Sequence, residues 1–400
     1  MTRQQAQSKN PKDGSLGLVL MLAMAFPMLI LYAAGALAPF MLADSAMEPE
    51  LLGAFTLASF GVAAMLSFRV GHWVKRLGVR TALMMLFGST AIAFTALVLT
   101  GHWLGMLLAI SVCGIAQALA NPATNQAIAS QVVLERRAFM VGMKQSGVQL
   151  SALAAGTVMP WLAVSWGWRA ALAAVIPVCV VMMLVVACRN WQGNKVALPK
   201  PRTAALSQQA LMLLMIMQGG VGIVLAAFIT QVPVFALDIG MTASEAAFLI
   251  TVFGLMGAIS RLILTPLACR CRLETDLLVV LLIMAGLAIV ATFTATSQNV
   301  WLLYAGVIGI GSTIVATNAL AMAMILRHHC FGEIPLASGR VSMAFFAGLS
   351  SGSLLFQGVV SLGGIDAGMA LLLLVLTACT MAVIRLRSPI LSLLDGELGG

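Results

Sequence analysis

Charge is what this chain has least of. Only 13 of its 400 residues are Asp or Glu, and charged residues of both signs make up 9%. Soluble domains carry about a quarter charged residues, so two or three soluble domains of this composition are excluded. The 61% hydrophobic content and a mean hydropathy of +1.04 assign the chain to lipid instead. The 7 cysteines are odd in number and none forms a C-x-x-C pair, which excludes a disulfide scaffold and a thiolate metal site. There is no G-x-x-x-x-G-K-S/T loop, which argues against ATP-driven transport. No Asn-x-Ser/Thr sequon occurs either, in keeping with a bacterial source and an inner membrane. No cofactor or metal ligand set is legible: His72, His102 and the His328-His329 pair sit at predicted membrane edges without companions.

The net charge of +9 is spread between apolar runs and forms no basic face, so nucleic acid is not an expected partner. A spanning helix takes about 20 apolar residues, and twelve would use about 240. Hydropathy predicts spans near 16–42, 51–70, 81–100, 104–130, 138–163, 169–188, 208–236, 246–269, 276–296, 301–326, 339–361 and 367–385. The first is read as a span and not as a removed signal, because no small-residue cleavage site follows it. The polar stretch 189–209 divides the chain into a six-helix bundle (1–188), a cytoplasmic linker, a second bundle (210–387) and a tail (388–400). With both termini in the cytoplasm, every Lys and Arg except Arg169 falls on that side or in the cytoplasmic half of a helix. Asp44, Glu48, Glu50, Asp238, Glu245 and Asp366 fall on the far side.

A shift of about 193 residues superposes Ala123-Thr124-Asn125 on Ala316-Thr317-Asn318, which fits a duplicated half. Small residues four apart recur in equivalent spans: Gly147, Ser151 and Ala155; Gly254 and Ala258; Gly348 and Gly352; Ala54 and Ala58. Such stripes let helix backbones approach closely in lipid, though small residues are common in any apolar helix. The expected fold is all-α: twelve transmembrane helices in two pseudo-symmetric bundles around a central cavity.

The segment Gly71-His72-Trp73-Val74-Lys75-Arg76-Leu77-Gly78-Val79-Arg80 resembles the major facilitator superfamily signature G-x-L-x-D-R-x-G-R-R at Gly71, Arg76, Gly78 and Arg80. Lys75 stands where the family has aspartate. The equivalent loop in the second half keeps Leu267 and Arg270, and Gly167-Trp168-Arg169 is similar to a turn common in the family. The resemblance implies a transporter that rocks between inward-open and outward-open states, with Gly71, Lys75, Arg76, Gly78, Arg80 and Arg270 at its conformational gate. It implies no particular substrate and no enzymatic activity.

Charge inside a membrane costs at least about 2.5 to 3.5 kcal/mol, so each instance is a functional candidate. Lys144 and Arg261 are the two such residues, and snorkelling to the inner interface is the plain alternative for both. If the small-residue stripes of their helices meet, the two cations converge and invite an anion. No Asp or Glu lies within any predicted span to neutralise them. Gln117, Asn121, Asn125, Gln145, Gln149, Gln218, Asn318 and Gln357 are candidate cavity residues, although amides inside a span often only bond a neighbouring helix. The expectation is a monomeric secondary transporter of a small organic anion such as a carboxylate, embedded in lipid, with or without a coupling ion. Facilitated transport or efflux of a neutral or amphipathic compound is the alternative within transport. A transporter-derived sensor is the alternative outside it.

Overall fold

Lipid offers no partner for a backbone N–H or C=O, so a spanning chain must satisfy both within helices or a closed barrel. The computed structural model describes residues 11–37, 40–41, 51–191, 204–268, 271 and 273–398, and no strand occurs among them. The helices are α1 (Pro11–Ala36), α2 (Leu51–Leu99), α3 (Trp103–Gln131), α4 (Leu134–Trp166), α5 (Trp168–Ala173), α6 (Val175–Cys188), α7 (Ala204–Asp238), α8 (Ala243–Ala268), α9 (Glu274–Phe293), α10 (Val300–Arg327) and α11 (Ile334–Leu398). Ten described segments are long and apolar enough to cross a membrane, α5 and α6 counting together as one.

The predicted loops near 71–80 and 362–366 are reduced to short breaks, so α2 and α11, spanning 49 and 65 residues, each join two helices across a kink. Leu, Val, Lys and Arg around Gly78 all sustain a helix, and only the glycine departs from it, at φ 80° and ψ 168°. Gly363 and Gly364 interrupt α11 in the same way. The predicted tail after residue 387 also continues as helix to Leu398. Lys9, Glu48, Lys200 and Arg270, with most of the predicted linker, lie outside the described residues.

Close helix approaches organise the interior. Gly147 of α4 lies against the Met21 carbonyl of α1, and Gly348 of α11 lies against the Gly219 carbonyl of α7. The expected meeting of small-residue stripes between α4 and α8 therefore takes another form. Gly142, Ser146 and Gln149 make that contact, because they lie on a different face of α4 from Gly147. Gly142 abuts the Arg261 carbonyl, and Ser146 Oγ donates to Ala258 O at 3.3 Å.

One end of the bundle is basic and tied together by contacts between helices. Arg137 is buried there with every side-chain nitrogen engaged: Nε on Val132 O (3.1 Å), Nη1 on Leu326 O (3.2 Å) and Nη2 on Ala129 O (2.8 Å). It thereby joins the ends of α3, α4 and α10. Lys75 Nζ meets Glu333 Oε1 at 2.7 Å, linking α2 to the residues before α11. A Cβ added to Gly71 would sit 2.6 Å from Pro335 O, so glycine is what lets these elements touch. Glu274 accepts from Arg327 Nη1 at 2.6 Å, and its other oxygen lies 2.9 Å from His328 Nε2.

Candidate substrate site

Polar side chains recur along one face of α3 at Gln117, Asn121, Thr124 and Asn125, which are three or four residues apart. On α4 the matching set is Lys144, Gln145 and Gln149. Consecutive helices joined by Val132 and Val133 run antiparallel, so steps toward the start of α3 match steps toward the end of α4. A bond from Gln145 Nε2 to Asn121 Oδ1 at 2.9 Å sets their register.

Three layers follow from that register. Deepest, Lys144 is fully buried, and Nζ donates to Thr124 Oγ1 (2.7 Å) and Asn121 Oδ1 (3.2 Å). It does not snorkel, and it lies beneath the cavity wall instead of in it. The middle layer is Asn121 and Gln145. Asn121 Oδ1 faces an ammonium, which only donates, so the amide orientation is fixed and Nδ2 donates to Ser342 Oγ of α11 at 3.0 Å. One helical turn further, about 6 Å along both axes, come Gln117 and Gln149.

Above the middle layer lies a central cavity of about 200 Å³. Gln117, Asn121, Gln145, Gln149, Arg261 and Asn318 line it, and so do Tyr32, Phe60, Phe253, Phe345 and Phe346. Phe60 of α2 stacks on Phe346 of α11 with ring centroids 5.8 Å apart. The wall thus gathers amides on its α3 and α4 side, while Arg261, Asn318 and the aromatic rings come from other helices.

Arg261 crosses from α8 to this wall. Nε donates to Val315 O at 3.1 Å and Nη1 to Gln145 O at 2.6 Å, while Nη2 has no acceptor among the described residues. Tyr32 and Lys144 both stand within electrostatic range of the guanidinium. No carboxylate among the described residues lines the cavity. Two buried amide oxygens in the wall, Gln117 Oε1 and Gln149 Oε1, also have no hydrogen-bond partner.

The remaining candidates fall elsewhere. Asn125 is buried below the cavity and donates to Ser338 Oγ at 2.8 Å. Gln218 stands behind the wall, with Oε1 accepting from Asn318 Nδ2 at 2.7 Å. Gln357 is exposed on α11 and does not reach the cavity. Of the gate residues, Gly71 and Lys75 contact the start of α11 and the residues just before it, Gly78 forms the break in α2, and Lys75, Gly78 and Arg80 border a cleft at the basic end. Arg76 lies in the same helical stretch. Sequence reasoning missed Tyr32, the phenylalanines and Glu333. Tyr32 could have been found as one of only 2 tyrosines, placed within an apolar span.

A helical membrane fold with a tied basic end and a central cavity is the architecture of a solute transporter. The Major Facilitator Superfamily model matches residues 19–329, and the chain belongs to that superfamily. The human organic anion transporter MFSD10 (TETRAN) has a similar structure, with a TM-score of 0.76 at 12% identity over 93% of this chain and 100% of that one. The transporter FucP in its outward conformation gives 0.73 at 11% identity, covering 92% and 98%. A variant of the E. coli fucose:proton symporter FucP gives 0.68 at 13%, covering 91% and 98%. No curated protein sequence matches the chain at a significant level. At such identities the structural likeness speaks for the fold alone. The chain is an integral membrane protein of a transporter family.

Proposed function

We propose that the protein is a secondary transporter of a small organic anion, carried by alternating access through the central cavity. The observation that carries this reading is Arg261: a buried guanidinium that lines the cavity, with Nη2 lacking an acceptor and no carboxylate in the wall among the described residues. A carboxylate there accepts from Nη2 and offsets the charge that Arg261 and Lys144 share. MFSD10, whose fold is similar, is an organic anion transporter, which agrees with it.

Twelve spans fit this reading. At 1.5 Å per residue the apolar stretches of α2 and α11, 46 and 58 residues, are about 69 and 87 Å long, at least twice the hydrocarbon thickness. Splitting each at its glycine break yields two six-helix halves joined by 189–209. The like packing of α4 on α1 and of α11 on α7 supports a duplicated half. The basic end then faces the cytoplasm of a bacterial inner membrane, and the protein works as a monomer with the cavity reached from the opposite side.

Counterflow in proteoliposomes tests the proposal, with labelled carboxylates, sugars and amines offered to the wild-type protein and to Arg261→Gln. Carboxylate exchange that disappears in the variant is expected. Exchange restricted to amines or sugars overturns the reading and favours the neutral or amphipathic alternative, which the aromatic part of the wall would suit.

A further inference from the structure

The two unmet amide oxygens ask for more than an anion. Gln117 is the clearer case, because its orientation has no freedom. Nε2 donates to Pro27 O at 3.2 Å and to Ser59 Oγ at 3.0 Å, and a carbonyl can only accept. Turning the amide over would set oxygen against oxygen, so Oε1 is the atom left without a donor. Gln149 Oε1 is equally buried and unmet. The register of α3 against α4 sets both glutamines at one level, a helical turn from the layer where Arg261 is held by Gln145. Buried oxygens without donors also occur at Asn125, Thr265 and Thr275, but none of those lines the cavity.

A buried acceptor left unmet is costly, so a ligand that brings a donor to it is selected over one that does not. The donor must be neutral. Arg261 and Lys144 lie close by and no wall carboxylate among the described residues would meet an ammonium, which disfavours zwitterionic amino acids. Past this level the wall turns to Phe60, Phe345 and Phe346. We propose that the substrate is a hydroxylated monocarboxylate with an apolar, ring-sized body. Its carboxylate meets Arg261 Nη2, its hydroxyl donates to Gln117 Oε1 or Gln149 Oε1, and its body lies against the phenylalanines. This rests on the anion reading above and adds the hydroxyl, the single charge and the apolar body.

The test compares matched probes on the purified full-length transporter: 3-phenyllactate, 3-phenylpropionate, which lacks only the hydroxyl, and phenylalanine. Binding is followed by intrinsic tryptophan fluorescence or isothermal calorimetry. The wild-type protein is expected to favour phenyllactate over phenylpropionate by about tenfold, the scale of one buried hydrogen bond, and to ignore phenylalanine. In Gln117→Met with Gln149→Met the preference should fall to about one. Because the readout is a ratio within one preparation, partial loss of folded protein cancels. Equal affinities in the wild type, with both lost in Arg261→Gln, overturn the hydroxyl inference and leave the anion reading standing. A preference that survives in the double variant overturns the assignment to these two glutamines. If phenylalanine binds best and Arg261→Gln changes nothing, both readings fall.

Discussion

Two buried arginines serve the two regions of this molecule in opposite ways. Arg137 at the basic end borders a cleft there, yet it spends all its nitrogens on three backbone carbonyls. Arg261, which lines the central cavity, spends two nitrogens on carbonyls and leaves the third without an acceptor among the described residues. Both guanidiniums join separate helices, so burial and charge alone do not mark a ligand site. What separates a structural arginine from one awaiting a ligand is the state of its last donors.

The sharpest way to break the comparison is to remove the guanidinium at the centre. Arg261→Gln should lower anion counterflow by about 100-fold, the scale of a charge-assisted hydrogen bond of up to about 3 kcal/mol. Arg261→Lys should recover little of this, since an ammonium lacks the planar fork that holds Val315, Gln145 and a carboxylate together. The same change at the basic end should act elsewhere. Arg137→Gln should cost about 2 kcal/mol of stability, read as a lower melting temperature in detergent, while anion affinity moves less than threefold. If Arg137→Gln abolishes anion binding as Arg261→Gln does, the distinction between the two is wrong.

Smaller effects sharpen the picture. Lys75 and Glu333 are half-exposed partners, so breaking their pair should loosen the basic end by less than about 1 kcal/mol. Lys75→Asp should increase opening in cross-linking between α2 and α11, and adding Glu333→Lys should restore the wild-type distribution. A swap that restores nothing would show that the contact is incidental. Smallest of all, Gln357→Leu should leave counterflow and melting unchanged within error, because the side chain lies outside the cavity.

Much of this was legible before any coordinates. Long apolar runs announce helices in lipid, and the cost of intramembrane charge singled out Lys144 and Arg261 directly. Amides were harder. In a soluble protein a polar side chain turns toward water and periodicity reveals the buried face, but here both the packed and the lipid-facing sides of a helix are apolar. Nothing local separates Gln357, which is exposed, from Gln149, which lines the cavity. The break in α2 within residues 71–80 was legible, because polar residues and glycine announce it, but its confinement to Gly78 was not, because every side chain around that glycine tolerates a helix. The role of Lys75 was out of reach, because its partner Glu333 lies 258 residues away and only the fold brings the two together. The family's aspartate is missing from this chain, and an acid on the far side of the gate meets a base on the near side.

That exchange has a consequence for where the transporter works. The Lys75 and Glu333 side chains are 55% and 51% exposed, so the solution bathing them sits between the charges as much as around them. Mobile ions screen such a pair over about 10 Å at 0.1 M ionic strength and over about 3 Å at 1 M. The buried hydrogen bonds of Arg137 and Asn121 are largely shielded from this. The tie at the basic end therefore has one component that loosens as the adjoining compartment becomes saltier and others that do not. With the basic end facing the cytoplasm, as proposed, a cell that concentrates its cytoplasm under osmotic stress would ease this contact toward opening without changing the affinity of the cavity for its cargo.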